Sequence, residues 1–145
     1  MKQISETFLV VQAGGLRCAL PVSLVREIMR PLPVRSAAGL GPAVRGVSVI
    51  RGTAMPVVSL SRLLGQPEAE DRRFVVLRTP GRDCALSVEQ VHALTTVKTD
   101  EWQAMPRLLS RMESAAQILA EDEDLMVSLN TARLIAELPP AEVNL

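Results

Sequence analysis

At 145 residues, 48% of them apolar, the chain has material for one domain, or for two small halves sharing a core. Only Phe8, Phe74 and Trp102 are aromatic and there is no Tyr, so the core is built from Val, Leu, Ile and Ala, and the stacking surface of a single-strand nucleic-acid binder is largely missing. The formal net charge is zero, which excludes a global basic field directed at a phosphate backbone.

In chain order, Met1–Glu6 leads straight into the apolar run Phe8–Val11. That run is too short for the apolar region of a signal peptide and has no cleavage site after it, and no window approaches a membrane span. The expected location is the cytoplasm, where a structural disulfide is not expected. Gly14-Gly15 reads as a hairpin turn, and a single helical turn follows the second strand. Val47–Ile50 and Met55–Leu60 read as strands, with Gly52 marking the turn between them. Ser59 is placed to cap a short helix over Leu60–Leu64, and Gly65 to stop it. Residues 66–72 are polar and read as a link.

Beyond the link, Phe74 opens another apolar run and Pro80-Gly81 another hairpin turn. Thr99–Ser114, with Pro106 inside it, reads as a loop with a short helix. Ala115–Ala120 and Leu125–Leu129 read as a hairpin around the acidic turn Glu121–Asp124. Asn130 caps a last helix running to Leu138, which Pro139-Pro140 ends.

The chain repeats itself. An offset of 66 pairs Phe8 with Phe74, Val10 with Val76, Gly15 with Gly81, Cys18 with Cys84, Ala19 with Ala85, Leu20 with Leu86, Val22 with Val88 and Val25 with Val91, without a gap. Val58-Ser59-Leu60 returns as Val127-Ser128-Leu129. Two units of one plan are expected, about 8–65 and 73–138, joined by 66–72 within a single domain. Many short strands with regular turns argue for small barrels. Charge follows the halves: residues 1–72 hold nine Lys/Arg against five Asp/Glu, and residues 73–145 hold seven against eleven, a split of +4 and −4. Such polarity suits a head-to-tail contact, and equally suits ordinary solvated faces.

Three stretches resemble the CheW family: Phe8–Val11, Val25–Ile28, and Gly46-Val-Ser-Val-Ile-Arg51-Gly52-Thr-Ala-Met-Pro56-Val-Val-Ser59-Leu60. The last is similar to that family's strand–turn–strand signature. The resemblance implies a mainly β fold of two intertwined, SH3-like five-stranded barrels with short helices, and no enzyme activity. It implies an adaptor that binds the regulatory domain of a CheA-type histidine kinase and the cytoplasmic tip of a chemoreceptor at membrane-associated arrays. In such arrays kinase and adaptor domains alternate, each using one half against the other half of its neighbour. Two residues depart from the pattern: Val49 stands where the family has Asn, and Ser59 where it has Asp. Ser and Asp both cap helices, so the second change is mild. The first swaps a polar side chain for a β-branched apolar one at the turn.

The partner-binding candidates follow. Arg51, beside Gly52, can offer a guanidinium to a partner's carboxylates or carbonyls, or form an internal ion pair. Gly46 and Gly52 supply backbone angles that other residues avoid. Val25, Glu27 and Ile28 form an apolar–acidic–apolar strip, echoed by Val91, Ala93 and Leu94 at what the repeat makes an equivalent edge. A groove there would take an apolar helix, with Glu27 facing a basic residue, although Val and Ile also suit plain core. Cys18 and Cys84 occupy matched repeat positions and read as small buried strand residues. His92 is the only histidine, so no metal or cofactor site is expected, and no nucleophile motif accompanies it. The competing readings are a divergent scaffold that binds receptors but no kinase, a small nucleic-acid-binding barrel, and an enzyme with unrecognised carboxylate chemistry.

Overall fold

The computed structural model describes residues 4–105, 115–121 and 124–139. Residues 106–114, most of the expected loop-and-helix segment, and 122–123 of the acidic turn lie outside them. Along the described chain run β1 (Ser5–Ala13), β2 (Leu16–Pro21), β3 (Val25–Met29), β4 (Val44–Ile50), β5 (Thr53–Ser59), α1 (Leu60–Leu63), β6 (Arg73–Thr79), β7 (Arg82–Val88), β8 (Gln90–Lys98), β9 (Gln103–Ala104), β10 (Ala115–Glu121), β11 (Asp124–Leu129) and α2 (Thr131–Glu137). Single 3-10 turns at Val22–Leu24 and Thr99–Glu101 complete it.

The strands form two sheets, ordered β8-β1-β2-β11-β10-β9 and β3-β6-β7-β5-β4. Apart from the two-residue β9, the orders are the same with the halves exchanged. The first hairpin, β1–β2, sits among strands of the second half, and the second hairpin, β6–β7, among strands of the first. Each exchange is sealed by a parallel ladder, β2 with β11 and β7 with β5; every other pairing is antiparallel. This is the mainly β, intertwined pair that the resemblance implies.

Exchange explains why the apolar runs do not alternate. In β1, Leu9 and Val11 face a core shared between the sheets, with Val75, Leu77, Leu86 and Leu134, while Phe8 and Val10 face a smaller core with Ala19, Val97, Leu119 and Met126. β6 does the same, with Val75 and Leu77 in the shared core and Phe74 and Val76 in a third cluster with Ile50, Met55 and Val57. A strand covered on both faces reads as a continuous hydrophobic run. The Trp102 ring, 5.5 Å from Phe8 and edge-on to it at 74°, packs against the first small core. Cys18 and Cys84 both point into the shared core, where burial pushes each thiol up to about 12.

The expected caps are in place. Ser59 Oγ accepts from the Arg62 N–H at 3.3 Å, and Asn130 Oδ1 accepts from the Arg133 N–H at 3.2 Å. Ser59, which departs from the Asp of the resembling pattern, thus caps α1 as expected.

Candidate functional site

The tight turn after β4 is two residues long, Arg51 at φ 50° and Gly52 at φ 79°. Both lie in the left-handed region, the geometry whose twist matches a right-handed β-hairpin. Gly adopts it freely; a residue with a long side chain does so at a cost of about 1 kcal/mol. Arg51 is the one non-glycine residue with positive φ among the described residues. Its side chain is correspondingly engaged. Nε donates to Glu27 Oε2 at 2.8 Å and Nη2 donates to Glu27 Oε1 at 2.9 Å, a bidentate pair that fixes the guanidinium plane.

The pair is asymmetric toward solvent: the Arg51 side chain is 77% exposed and that of Glu27 28%. The hydrogen bonds from Arg51, and then its charge, hold the Glu27 carboxyl below its ordinary value against the cost of desolvation. Glu27 in turn raises Arg51 above its ordinary value. The two residues offered from sequence as separate contacts are thus brought together.

The pair also bridges the fold. β3 and β4 are the two ends of their sheet's order, and Arg51 reaches from the end of β4 to the middle of β3. Next to it, the segment between β3 and β4 lies along β4: the Arg35 and Val47 backbones exchange hydrogen bonds of 2.8 Å each way, and Ser48 Oγ donates to the Pro33 carbonyl at 2.9 Å. Gly46 makes this approach possible. It is buried at φ 152°, and a Cβ there would overlap the Arg35 carbonyl oxygen. Gly52, by contrast, has open space where a Cβ would be.

The apolar strip divides. Val25 and Val91 are half-buried and pack against the shared core, whereas Ile28 is 45% exposed and Leu94 64% exposed. Plain core accounts for the first two and fails for the second two. β3 and β8 lie at the edges of their sheets, in repeat-equivalent places. Val49 is 63% exposed and lines a shallow apolar pocket of about 280 Å³ with Pro33, Arg35 and Val47. Sequence reasoning missed this pocket, although the alternation Val47, Val49, Arg51 on one face of a strand was the signal available. A second cleft, about 490 Å³, opens between the link and the β3–β4 segment over Phe74, beside the ion pair of Arg45 and Asp71. Nothing in the sequence pattern pointed to it.

His92 Nε2 lies 2.7 Å from Gln12 Oε1. No group of three or more His, Cys, Asp or Glu gathers as a metal site among the described residues, and no helix among them is long and apolar enough to cross a membrane.

Comparison with known proteins agrees with this architecture. The chain is 24% identical over 126 residues to the chemotaxis protein CheW of Bacillus subtilis (strain 168), which spans 83% of this chain and 81% of that protein. Its fold is similar to the crystal structure of the scaffolding protein TtCheW from Thermoanaerobacter tengcongensis, with a TM-score of 0.76 at 15% identity over 88% of this chain and 90% of that one. The family model described as CheW-like domain matches residues 7–138, nearly the whole described chain, and the protein therefore belongs to the CheW-like domain family.

Proposed function

We propose that the protein is a non-enzymatic scaffold of chemosensory signalling that couples the cytoplasmic tip of chemoreceptors to the regulatory domain of a CheA-type histidine kinase, in the cytoplasm at receptor arrays. Family membership supports this, as do the names of the relatives, one a chemotaxis protein and the other a scaffolding protein. The observation that carries it is the exposed, pre-oriented guanidinium of Arg51, held by Glu27 at the edge strand β3, whose opposite face carries the exposed Ile28. Glu27 occupies Nε and one hydrogen of Nη2, leaving Nη1 for a partner's carboxylate or carbonyl. Ile28 and Leu94 supply apolar anchors at the two sheet edges, over the half-buried Val25 and Val91. Rigid presentation lowers the entropy lost on binding.

The exposed Val49, in place of the family's Asn, favours a second reading, in which receptors are bound but the kinase contact is altered. Reconstitution separates the two. Added to receptor-tip fragments and kinase from the same genome, the coupling scaffold raises kinase autophosphorylation only when receptor is present. A protein that co-sediments with receptor and leaves the kinase rate unchanged fits the second reading. One that binds neither overturns both.

A further inference from the structure

The offset of 66 that lays Val25 on Val91 also lays Arg26, Glu27 and Ile28 on His92, Ala93 and Leu94. The two edge strands are therefore versions of one another and share a β-bulge, at Arg26 and at His92, yet their charges and prolines differ. β3 is five residues long, its Arg26 pairs with Asp83 at 3.2 Å, its Glu27 is held by Arg51, and Pro31 follows its end. Charges and prolines of this kind keep an unpaired strand edge from accepting another strand. β8 is nine residues long and contains no Asp, Glu or Pro; its only Lys or Arg is Lys98, at its last position. Among the described residues it pairs with β1 alone. At its centre stands Leu94, 64% exposed, with Gln90, His92, Ala93 and Thr96 also exposed.

We propose that β8 is a self-association edge, to which a second copy of this chain adds its own β8, antiparallel and centred on Leu94. That register has a two-fold axis through the leucine pair, so the contact is isologous and closes as a dimer. It sets Leu94 against Leu94 and Ala93 against Thr95, the β-bulge at His92 ending the regular ladder on either side, and no like charges meet because Lys98 is the strand's only Lys, Arg, Asp or Glu. The same operation on β3, centred on Ile28, would set Arg26 against Arg30, and centred on the middle of the strand would set Glu27 against Glu27, so the first-half edge disfavours it. Nine residues a side is small beside the roughly 20 of a stable interface, and the dimer accordingly forms reversibly with concentration. It covers Val91 and Leu94, so a dimer and a partner docked on those residues exclude one another.

Sedimentation velocity on the full chain, from low to high micromolar concentration, tests this. Wild type shifts from monomer to dimer. Leu94→Lys, which sets two lysines face to face, stays monomeric throughout with an unchanged melting temperature, and Ala93→Glu, which returns the charge that β3 carries, does the same. Ile28→Lys, on the equivalent edge, dimerises like wild type. The register is read by oxidation. Residues directly opposite in an antiparallel ladder lie about 4.5–5.5 Å apart at Cα, within disulfide reach, so Leu94→Cys forms a covalent dimer and Thr96→Cys, two positions off the axis and so far from its own copy, does not. Cys18 and Cys84 are buried and stay silent. A monomer at every concentration, a dimer that survives Leu94→Lys and Ala93→Glu, or equal crosslinking through Thr96→Cys overturns the proposal.

Discussion

Arg51 grips Glu27 through two parallel hydrogen bonds of 2.8 and 2.9 Å, and in doing so ties together the first and last strands of the five-stranded sheet. The tie sits at the surface, where an ion pair adds little to stability because water and salt screen it. Its value lies in orientation: a long, rotamer-rich side chain is held in one pose at a turn of unusual backbone geometry.

The first prediction concerns that tie and pH. The folded Glu27 carboxyl lies below its ordinary value, so any stability it contributes is fully present above the unfolded value and is lost as pH falls through the folded one. A carboxyl-detected NMR titration will find Glu27 titrating below the ordinary glutamate range in wild type, and returning to it in Arg51→Ala. An ordinary value in wild type would show that the pair is not kept in solution.

Two glycines of the same hairpin should respond very differently to alanine. Gly46→Ala forces a Cβ into the Arg35 carbonyl at a backbone angle that L-residues avoid, and should cost about 3 kcal/mol in denaturant unfolding. Gly52→Ala meets no atoms and carries only the left-handed penalty, about 1 kcal/mol. Equal losses at the two sites would contradict the close approach of the 30–43 segment to β4.

These glycines also mark what was legible in the sequence. The hairpins, the Ser59 and Asn130 caps and the equivalence of Cys18 with Cys84 follow from local turn chemistry and from the repeat, both of which are written in neighbouring residues. The partner of Arg51 is 24 positions away, and nothing local distinguishes Glu27 from other acidic residues. The exchange of hairpins between sheets is equally silent, because β1 would read as the same apolar run whichever strands flanked it. The exposure of Ile28 and Leu94 depends on which strands end a sheet, a property of topology that apolar character alone misreports.

Thiol chemistry tests the shared core. Cys18 and Cys84 are buried with thiols raised to about 12, so the reactive thiolate is scarce at neutral pH. Labelling by an aromatic disulfide reagent should proceed for both residues only as fast as the protein opens, accelerating together with denaturant. Fast labelling of either one in native buffer would contradict its placement.

Packing of α2 onto the shared core rests on Leu134, which is fully buried, while its neighbour Ile135 is 37% exposed. Leu134→Ala should lose about 3 kcal/mol through the cavity it leaves, and Ile135→Ala less than about 1 kcal/mol, by urea unfolding. Asn130→Ala, which removes the cap, should fall between them at about 1 kcal/mol.

The most direct test of the coupling role is a calorimetric titration of the purified protein with the regulatory domain of a CheA-type kinase from the same genome, run alongside Arg51→Ala. The account predicts saturable binding in wild type and markedly weaker binding in Arg51→Ala, with the variant's melting temperature within about 2 °C of wild type, as expected for a surface change. A folded wild-type protein that gives no heat of binding, or an Arg51→Ala variant that binds as tightly as wild type, would contradict it.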